Sequence, residues 1–393
     1  MWGLLHGVVQ QPFPEGGVRM GTLGLYFHIP FCLAKCAYCD FCSFPATDED
    51  LRHRYARALI RELAARAEGL GRRTVDTVFF GGGTPTLLSP RDLCAILDEV
   101  RACFALTPDA EITVECNPKT ADLDALRALR AGGVNRLSIG MQSANDEELA
   151  ALGRAHRQED LLRAVQDARA AGFENINLDL MFGIPHQTEK SFARTLSEAI
   201  SLAPAHLSVY SLQIEPGTPF YENRDKLPLP SEDDEAALSA MLHATLRAAG
   251  YERYEISNWA KAGRECRHNL RYWRMQDYLG LGIASHSLIG NERFYNRESL
   301  TDYLTDPLSL REREEMLSDA EREFEYVMLG LRLGCGIGED EFRAAFGYGF
   351  FEKYGARLGA YLAAGLAVFD GARTRLTDGG MAVSNALLAE ILD

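Results

Sequence analysis

The chain has 393 residues, 47% of them hydrophobic and 25% charged, with a formal net charge of −15. That length allows a large buried core and two domains. The acidic balance argues against a nucleic-acid partner, which calls for a surplus of Lys and Arg along the phosphate backbone. No apolar run is long enough to span a bilayer. The opening stretch MWGLLHGVVQQPFPEGGVRM lacks the basic n-region and full h-region of a secretory signal. It reads as a lead-in over 1–22, with Met20 a second candidate start. The expected compartment is therefore cytoplasmic and reducing, where structural disulfides are rare. The nine cysteines, an odd count, also fit a disulfide framework poorly. Cys94, Cys103, Cys116, Cys266 and Cys335 are scattered and read mostly as small buried hydrophobes.

From residue 23 to residue 215, strand-like and helix-like segments alternate. LGLYFHI is followed by a helix over 48–70, and VDTVFFGG by a helix that Ser89 and Pro90 start. EITVEC precedes ADLDALRALRAGG, which ends on glycines, and VNRLSIGMQS precedes a helical stretch from Asn145 to Ala171. INLDLMFG precedes EKSFARTLSEAISLA, and HLSVYSLQIE is the sixth strand. Such a run implies a parallel sheet with right-handed crossovers. Six units fall short of the eight that close a barrel, so the expected fold is α/β, a partial (β/α)6 TIM-like barrel with its chemistry at the strand ends. Residues 216–310 read as a linker and a substrate-side extension. Within them PGTPFYENRDKLPLPSEDDE is rich in Pro and charge, and the part after about 258 is aromatic and irregular. Residues 311–393 read as a small C-terminal α/β, winged-helix-like domain.

The segment HIPFCLAKCAYCDFCSF spaces Cys32, Cys36 and Cys39 as C-x3-C-x2-C, with Cys42 one further x2 step on. Zinc is one reading, with Cys42 or His28 as fourth ligand, although zinc sites usually pair two knuckles across a longer loop. A redox C-x-x-C is another. A 4Fe–4S cube held by three thiolates, its fourth iron open to a small molecule, is the reading the spacing favours. Gly81-Gly82-Gly83-Thr84-Pro85 follows the second strand. It is either a tight turn or a place where backbone approaches a ligand, and no Lys follows as in a phosphate-binding loop.

With an aromatic, Tyr38, before the last cysteine, the motif resembles that of the radical S-adenosylmethionine (SAM) enzymes. GLYFHIPFC, FFGGGTP, ITVECNP, GVNRLSIGMQS, LGRAH and NLDLMFGIP, in that order, resemble the oxygen-independent coproporphyrinogen III oxidase-like branch. The resemblance covers nearly the whole chain after residue 23. It implies a 4Fe–4S cluster on Cys32, Cys36 and Cys39. It implies SAM contacts at Tyr26, Gly82, Gly83, Thr84, Glu115, Gln142, Arg154 and Asp179. It also implies a one-electron reductant such as flavodoxin or ferredoxin. In such enzymes the reduced cluster breaks the sulfonium C–S bond of SAM to give methionine and a 5′-deoxyadenosyl radical, while the protein excludes water and oxygen.

Within that branch, the dehydrogenases resembled carry a cysteine two residues after the third; here that position is Phe41, and the motif reads Cys39-Asp40-Phe41 as in the heme chaperones. HLSVYSLQIEPGTPF, GYERYEISNWA and RLTDGGMAVSNALLAEIL are also similar to the chaperones. Cys266-Arg267-His268-Asn269-Leu270-Arg271-Tyr272-Trp273 contains an H-N-x-x-Y-W motif that the resemblance links to heme, with His268 the implied contact, an imidazole being a natural axial ligand. Taken without the resemblance, the same motif is a His-Asn loop beside core aromatics. The expected role is heme binding and transfer to a respiratory acceptor, with no catalytic residue assigned, homodimerisation conceivable and membrane association only through a partner. The alternatives are a coproporphyrinogen III dehydrogenase and a heme-opening methyltransferase; an RNA-modifying enzyme is the most distant. Cys42, His186 in GIPHQT and the GLGIASHS segment depart from the family pattern.

Overall fold

The computed structural model describes residues 21–46 and 48–392; the expected lead-in and Met20 fall almost entirely outside the described residues. The chain forms two compact units, one running from Gly21 to Met316 and one beginning at Leu317.

The first unit carries the predicted strands: β1 (Leu23–Ile29), β2 (Thr74–Gly82), β3 (Ala105–Cys116), β4 (Arg136–Gln142), β5 (Asn175–Phe182) and β6 (His206–Ser211). They lie side by side in chain order, each parallel to the next. The outward column is apolar. Leu23, Leu25, Phe27 and Ile29 of β1, Ile112 and Val114 of β3, and Ile176 and Leu178 of β5 all sit in the main core. Helices cover that face. The longest, Glu49–Leu70, is capped by Asp48, which accepts from the amides of Asp50 and Leu51, and it buries Tyr55, Leu59 and Leu63.

The segment after 216 continues the same sheet. β7 (Glu252–Arg253) and β8 (Asn258–Ala260) add antiparallel beyond β6. β9 (Tyr278–Leu281) pairs parallel with the free side of β1, and β10 (His286–Ile289), β11 (Glu292–Asn296) and β12 (Arg311–Met316) follow antiparallel. The residues that read as irregular, from about 258 to 300, therefore contain the four strands β8 to β11. The strand beyond them, β12 (REREEM), is a charged edge, which discourages pairing with another sheet.

The inward column is polar, with Tyr26, Glu115, Arg136, Asn177, Asp179 and Ser208 among its members. Side chains from β1 and from β6, five strands apart, line one cavity of about 180 Å³, so the sheet is curled into a partial barrel. A short helix, Arg267–Trp273, closes the floor at the amino ends of the strands. Its first amides, of Arg267 and His268, donate to the Glu111 carboxylate at 3.1 and 3.0 Å, which suits the positive end of a helix. Buried Arg271 donates to Asp76, to the Thr22 and Asp277 carbonyls, each at 3.0 Å, and to Thr77.

The second unit is a helix (Asp319–Gly330), a short strand β13 (Ile337–Gly338), two helices (Glu339–Phe346 and Phe350–Ala363), a hairpin of β14 (Ala367–Phe369) and β15 (Arg373–Leu376), and two closing helices (Asp378–Ala382 and Ser384–Leu392). β13 joins the hairpin beside β15, giving the order β13-β15-β14 of a winged helix. Glu323, drawn low in pKa by its donors despite burial, accepts from Lys353 Nζ and Tyr354 Oη, both at 2.7 Å.

Candidate functional site

The carboxyl ends of β1 to β5 bring the predicted site residues to one mouth. The thiol loop leaves β1 at Pro30 and is tied down along its length. Ala46 N donates to the Cys32 carbonyl at 3.1 Å, Cys39 N to the Cys36 carbonyl at 3.2 Å, and Phe220 N to the Ala37 carbonyl at 3.0 Å. His28, buried beneath it, donates from Nε2 to the Cys42 carbonyl at 2.8 Å and accepts at Nδ1 from Tyr26 Oη at 3.1 Å. Cys32, Cys36, Cys39 and Cys42 are all free and partly exposed. Among the described residues no three metal-ligating side chains share a single-ion shell; a cube is held differently, each thiolate on its own iron. The donor set fits that group. Thr84 Oγ1 donates to Cys32 Sγ at 3.8 Å and Arg154 Nη1 to Cys36 Sγ at 3.6 Å, contacts that suit a sulfur carrying negative charge. As free thiols, Cys32 and Cys39 are raised by burial, and Cys42 is pushed up to about 11 by the same cause.

The Gly81–Thr84 turn docks directly on this loop. Gly83 N donates to the Ile29 carbonyl at 2.9 Å and Thr84 N to the Phe31 carbonyl at 2.7 Å. Gly82, at φ 108°, packs so close to the His28 ring that a Cβ would lie 2.5 Å from it. Gly82 N also donates to Glu115 at 3.2 Å. Burial, and then the charge of Asp179, push the Glu115 carboxyl up to about 8. Asp179 accepts from Ser138 at 3.1 Å and from Asn177 at 2.8 Å, yet burial still raises it. Gln142 ends β4 at φ 61°, beyond a bulge in register. Its amide and the Arg154 guanidinium both hang over Gly140, within 3.0 Å of where a Cβ would stand. Tyr26 lies lower, its ring facing Phe79 at 6.2 Å.

His268 is set away from the thiols but lines the same cavity as Tyr26, Glu115 and Asp179, its ring stacked 5.2 Å from Phe79 and 6.4 Å from Tyr26. It sits in the floor, 1% exposed, with Nδ1 bonded to Thr77 Oγ1 and Nε2 to Tyr272 Oη, both at 2.9 Å. Burial holds the ring neutral, down to about 3. His286 is exposed and stacked on Tyr295 at 5.4 Å, away from the thiols in the outer antiparallel strands. His186 has φ 66°, the left-handed conformation that explains the expectation of glycine there. Of the scattered cysteines only Cys116 and Cys266 are buried; Cys335 is exposed. Reasoning from sequence missed Arg136, a fully buried guanidinium on the cavity wall, and His156 beside Arg154. Alternation in β4 held the signal for the first, since a strand with Leu137 and Ile139 outward turns Arg136 inward.

Residues 26–199 match the radical SAM superfamily and residues 317–383 the HemN C-terminal domain. The chain is 37% identical over 377 residues to the heme chaperone HemW of Mycobacterium tuberculosis, covering 94% of each. It is 38% identical to the heme chaperone HemW of Bacillus subtilis, covering 85% of this chain and 87% of the relative. The chain belongs to the heme chaperone HemW family. Another HemW relative, from Escherichia coli, is 44% identical over 69% of this chain and 71% of its own. Among solved structures, the coproporphyrinogen III oxidase HemN of E. coli, a radical SAM enzyme, superposes with a TM-score of 0.83 at 27% identity, over 94% of this chain and 90% of that one. Radical SAM membership implies a 4Fe–4S cluster and SAM for this chain. Among the described residues no helix is long and apolar enough to cross a membrane.

Proposed function

We propose that this protein is a heme chaperone that binds a 4Fe–4S cluster, SAM and heme, and passes heme to a respiratory acceptor. The observation that carries the reading is its 37% identity to a heme chaperone over 94% of both chains. Cys32, Cys36 and Cys39 would hold the cluster. Gly82, Gly83 and Thr84 would present backbone to SAM, with Glu115 and Asp179 facing its hydroxyls and amine, and the free donors of Arg154 its carboxylate. Gln142 and Tyr26 complete the wall. A cluster with an open iron supplies, once bound, one-electron reduction of the sulfonium. The chain's own residues orient the thiols, keep the mouth dry and fix the donors. The electron comes from a flavodoxin- or ferredoxin-like donor, in a cytoplasmic protein that reaches the membrane only through its acceptor; a homodimer fits the same reading.

His268 lies in the floor of the cavity with Nδ1 on Thr77 and Nε2 on Tyr272. Axial heme contact there would require a movement that frees one ring nitrogen from its present partner. Beside the thiols, exposed Leu33, Phe41 and Phe44 offer a macrocycle apolar surface without any such movement. The likeness to coproporphyrinogen III oxidase favours a second reading, oxidative decarboxylation of a tetrapyrrole. The two separate in one experiment. Heme-loaded protein mixed with an apo-hemoprotein should surrender its heme, while SAM, reductant and coproporphyrinogen III should yield no protoporphyrinogen. Turnover of coproporphyrinogen without heme transfer would reverse the assignment.

A further inference from the structure

The stretch that reads as one helix from 145 to 171 is broken after Leu152. Gly153 adopts φ 74°, and the Leu152 carbonyl accepts from Ala37 N at 3.1 Å, so this turn is fastened to the thiol loop. Arg154 then reaches Cys36, 118 residues away in sequence, with Nη1 at 3.6 Å from the sulfur. Its Nη2 donates to the Gly140 carbonyl at 3.2 Å and its Nε to His156 Nδ1 at 3.4 Å. Gly140 is what makes room: a Cβ there would stand 2.8 Å from Nη2. His156 is 2% exposed, and its Nε2 meets the Met141 carbonyl at 3.3 Å. A carbonyl only accepts and a guanidinium only donates. The ring is therefore the neutral Nε2–H tautomer, its Nδ1 lone pair turned to Arg154. Three of the five guanidinium N–H groups are committed to three different elements, and two stay free for a ligand.

We infer that His156 is a positioning residue that aims Arg154 at the Cys36 sulfur, and that this charged contact sets the reduction potential of the cluster. The inference rests on Cys36 being a cluster ligand. Reduction adds one electron from a low-potential donor, breaks no bond and takes up no proton. The added negative charge falls partly on the cysteine sulfurs, where a guanidinium N–H stabilises the reduced state more than the oxidised one. Removing it makes the cluster harder to reduce.

The test is an anaerobic redox titration of the full-length, cluster-reconstituted protein, with dithionite as reductant and the electron paramagnetic resonance signal as readout. Iron and sulfide per chain are measured on the same samples. Arg154→Gln should keep wild-type iron and lower the reduction equilibrium constant about tenfold, about 59 mV for a one-electron couple. His156→Ala should shift it the same way by less, and His156→Gln, with an acceptor for Arg154 and a donor for Met141, should recover most of the loss. Should Arg154→Gln not fold, Arg154→Lys, which keeps charge without the fork, decides by the same titration. Midpoints unchanged at wild-type iron content would overturn the inference. A wild-type chain that takes up no iron would overturn the cluster assignment itself, and the inference with it.

Discussion

One added methyl group at Gly83 should disturb the site from its foundation. An ideal Cβ there would lie 2.6 Å from the Phe31 carbonyl oxygen and 3.0 Å from that of Ile29, both backbone atoms with no rotamer to yield. Relief demands a shift of several tenths of an ångström between the glycine turn and the start of the thiol loop. The bonds in the way are Gly83 N to the Ile29 carbonyl at 2.9 Å and Thr84 N to the Phe31 carbonyl at 2.7 Å. Overpacking costs about 1–3 kcal/mol and each strained bond about 1 kcal/mol, so Gly83→Ala should cost on the order of 3 kcal/mol. In a unit of this size that lowers Tm by on the order of 5 °C or more. Cys32 follows Phe31 directly, so iron retention should fall along with stability. The control is Gly69→Ala, where a Cβ meets nothing within 4 Å on the long helix; it should be neutral or slightly stabilising. Differential scanning fluorimetry of the apo-protein and iron content after reconstitution measure the two effects. A Gly83→Ala protein with wild-type Tm and iron would refute the reasoning.

Arg271→Met should cost about 2 kcal/mol in urea denaturation, because it removes the buried cation beside Asp76 and the guanidinium donors to the Thr22 and Asp277 carbonyls, while Asp76 keeps Thr22 Oγ1 and the Asp277 carbonyl keeps Gly24 N; a loss below about 1 kcal/mol would deny the floor helix its anchoring role. Stability should also fall with acid. His268 is held neutral down to about 3 by burial, and buried His206 is lowered in the same way. Unfolded, both rings take a proton near pH 6.5; folded, they resist it. Their contribution is complete above about pH 6.5 and is lost as pH falls toward 3, His268 alone costing about 2 kcal/mol at pH 5. Urea midpoints at pH 7.5 and pH 5 check this, and a His268→Gln variant that loses as much stability on acidification as wild type would contradict it. Changing Cys32, Cys36 or Cys39 to Ser should abolish the reconstituted cluster's visible absorbance; retention at full intensity would remove that residue from the ligand set.

Local pattern carried the barrel and the mouth of the site. LGLYFHI alternates cleanly between an apolar outer column and Gly24, Tyr26 and His28 inside, so β1 was readable to the residue. The thiol spacing and the glycine run were equally plain. The strand Tyr278–Leu281 was not, since it spans only four residues and exists through its pairing with β1, some 250 residues earlier in the chain. The break at Gly153 was hidden inside a good helical pattern, because the force that opens it is the contact of Leu152 and Arg154 with the thiol loop. His268 shows the limit of a motif. Its neighbours announced an aromatic environment, but Thr77, the group that fills its Nδ1, lies 191 residues away.

The most direct measurement is an anaerobic hemin titration of the cluster-reconstituted protein, followed by its Soret band. A chaperone should saturate with one heme per chain, and the heme should be recovered unmodified from the same sample. Hemin that produces no saturable Soret change, in a protein that consumes coproporphyrinogen III in the presence of SAM and reductant, would contradict the account.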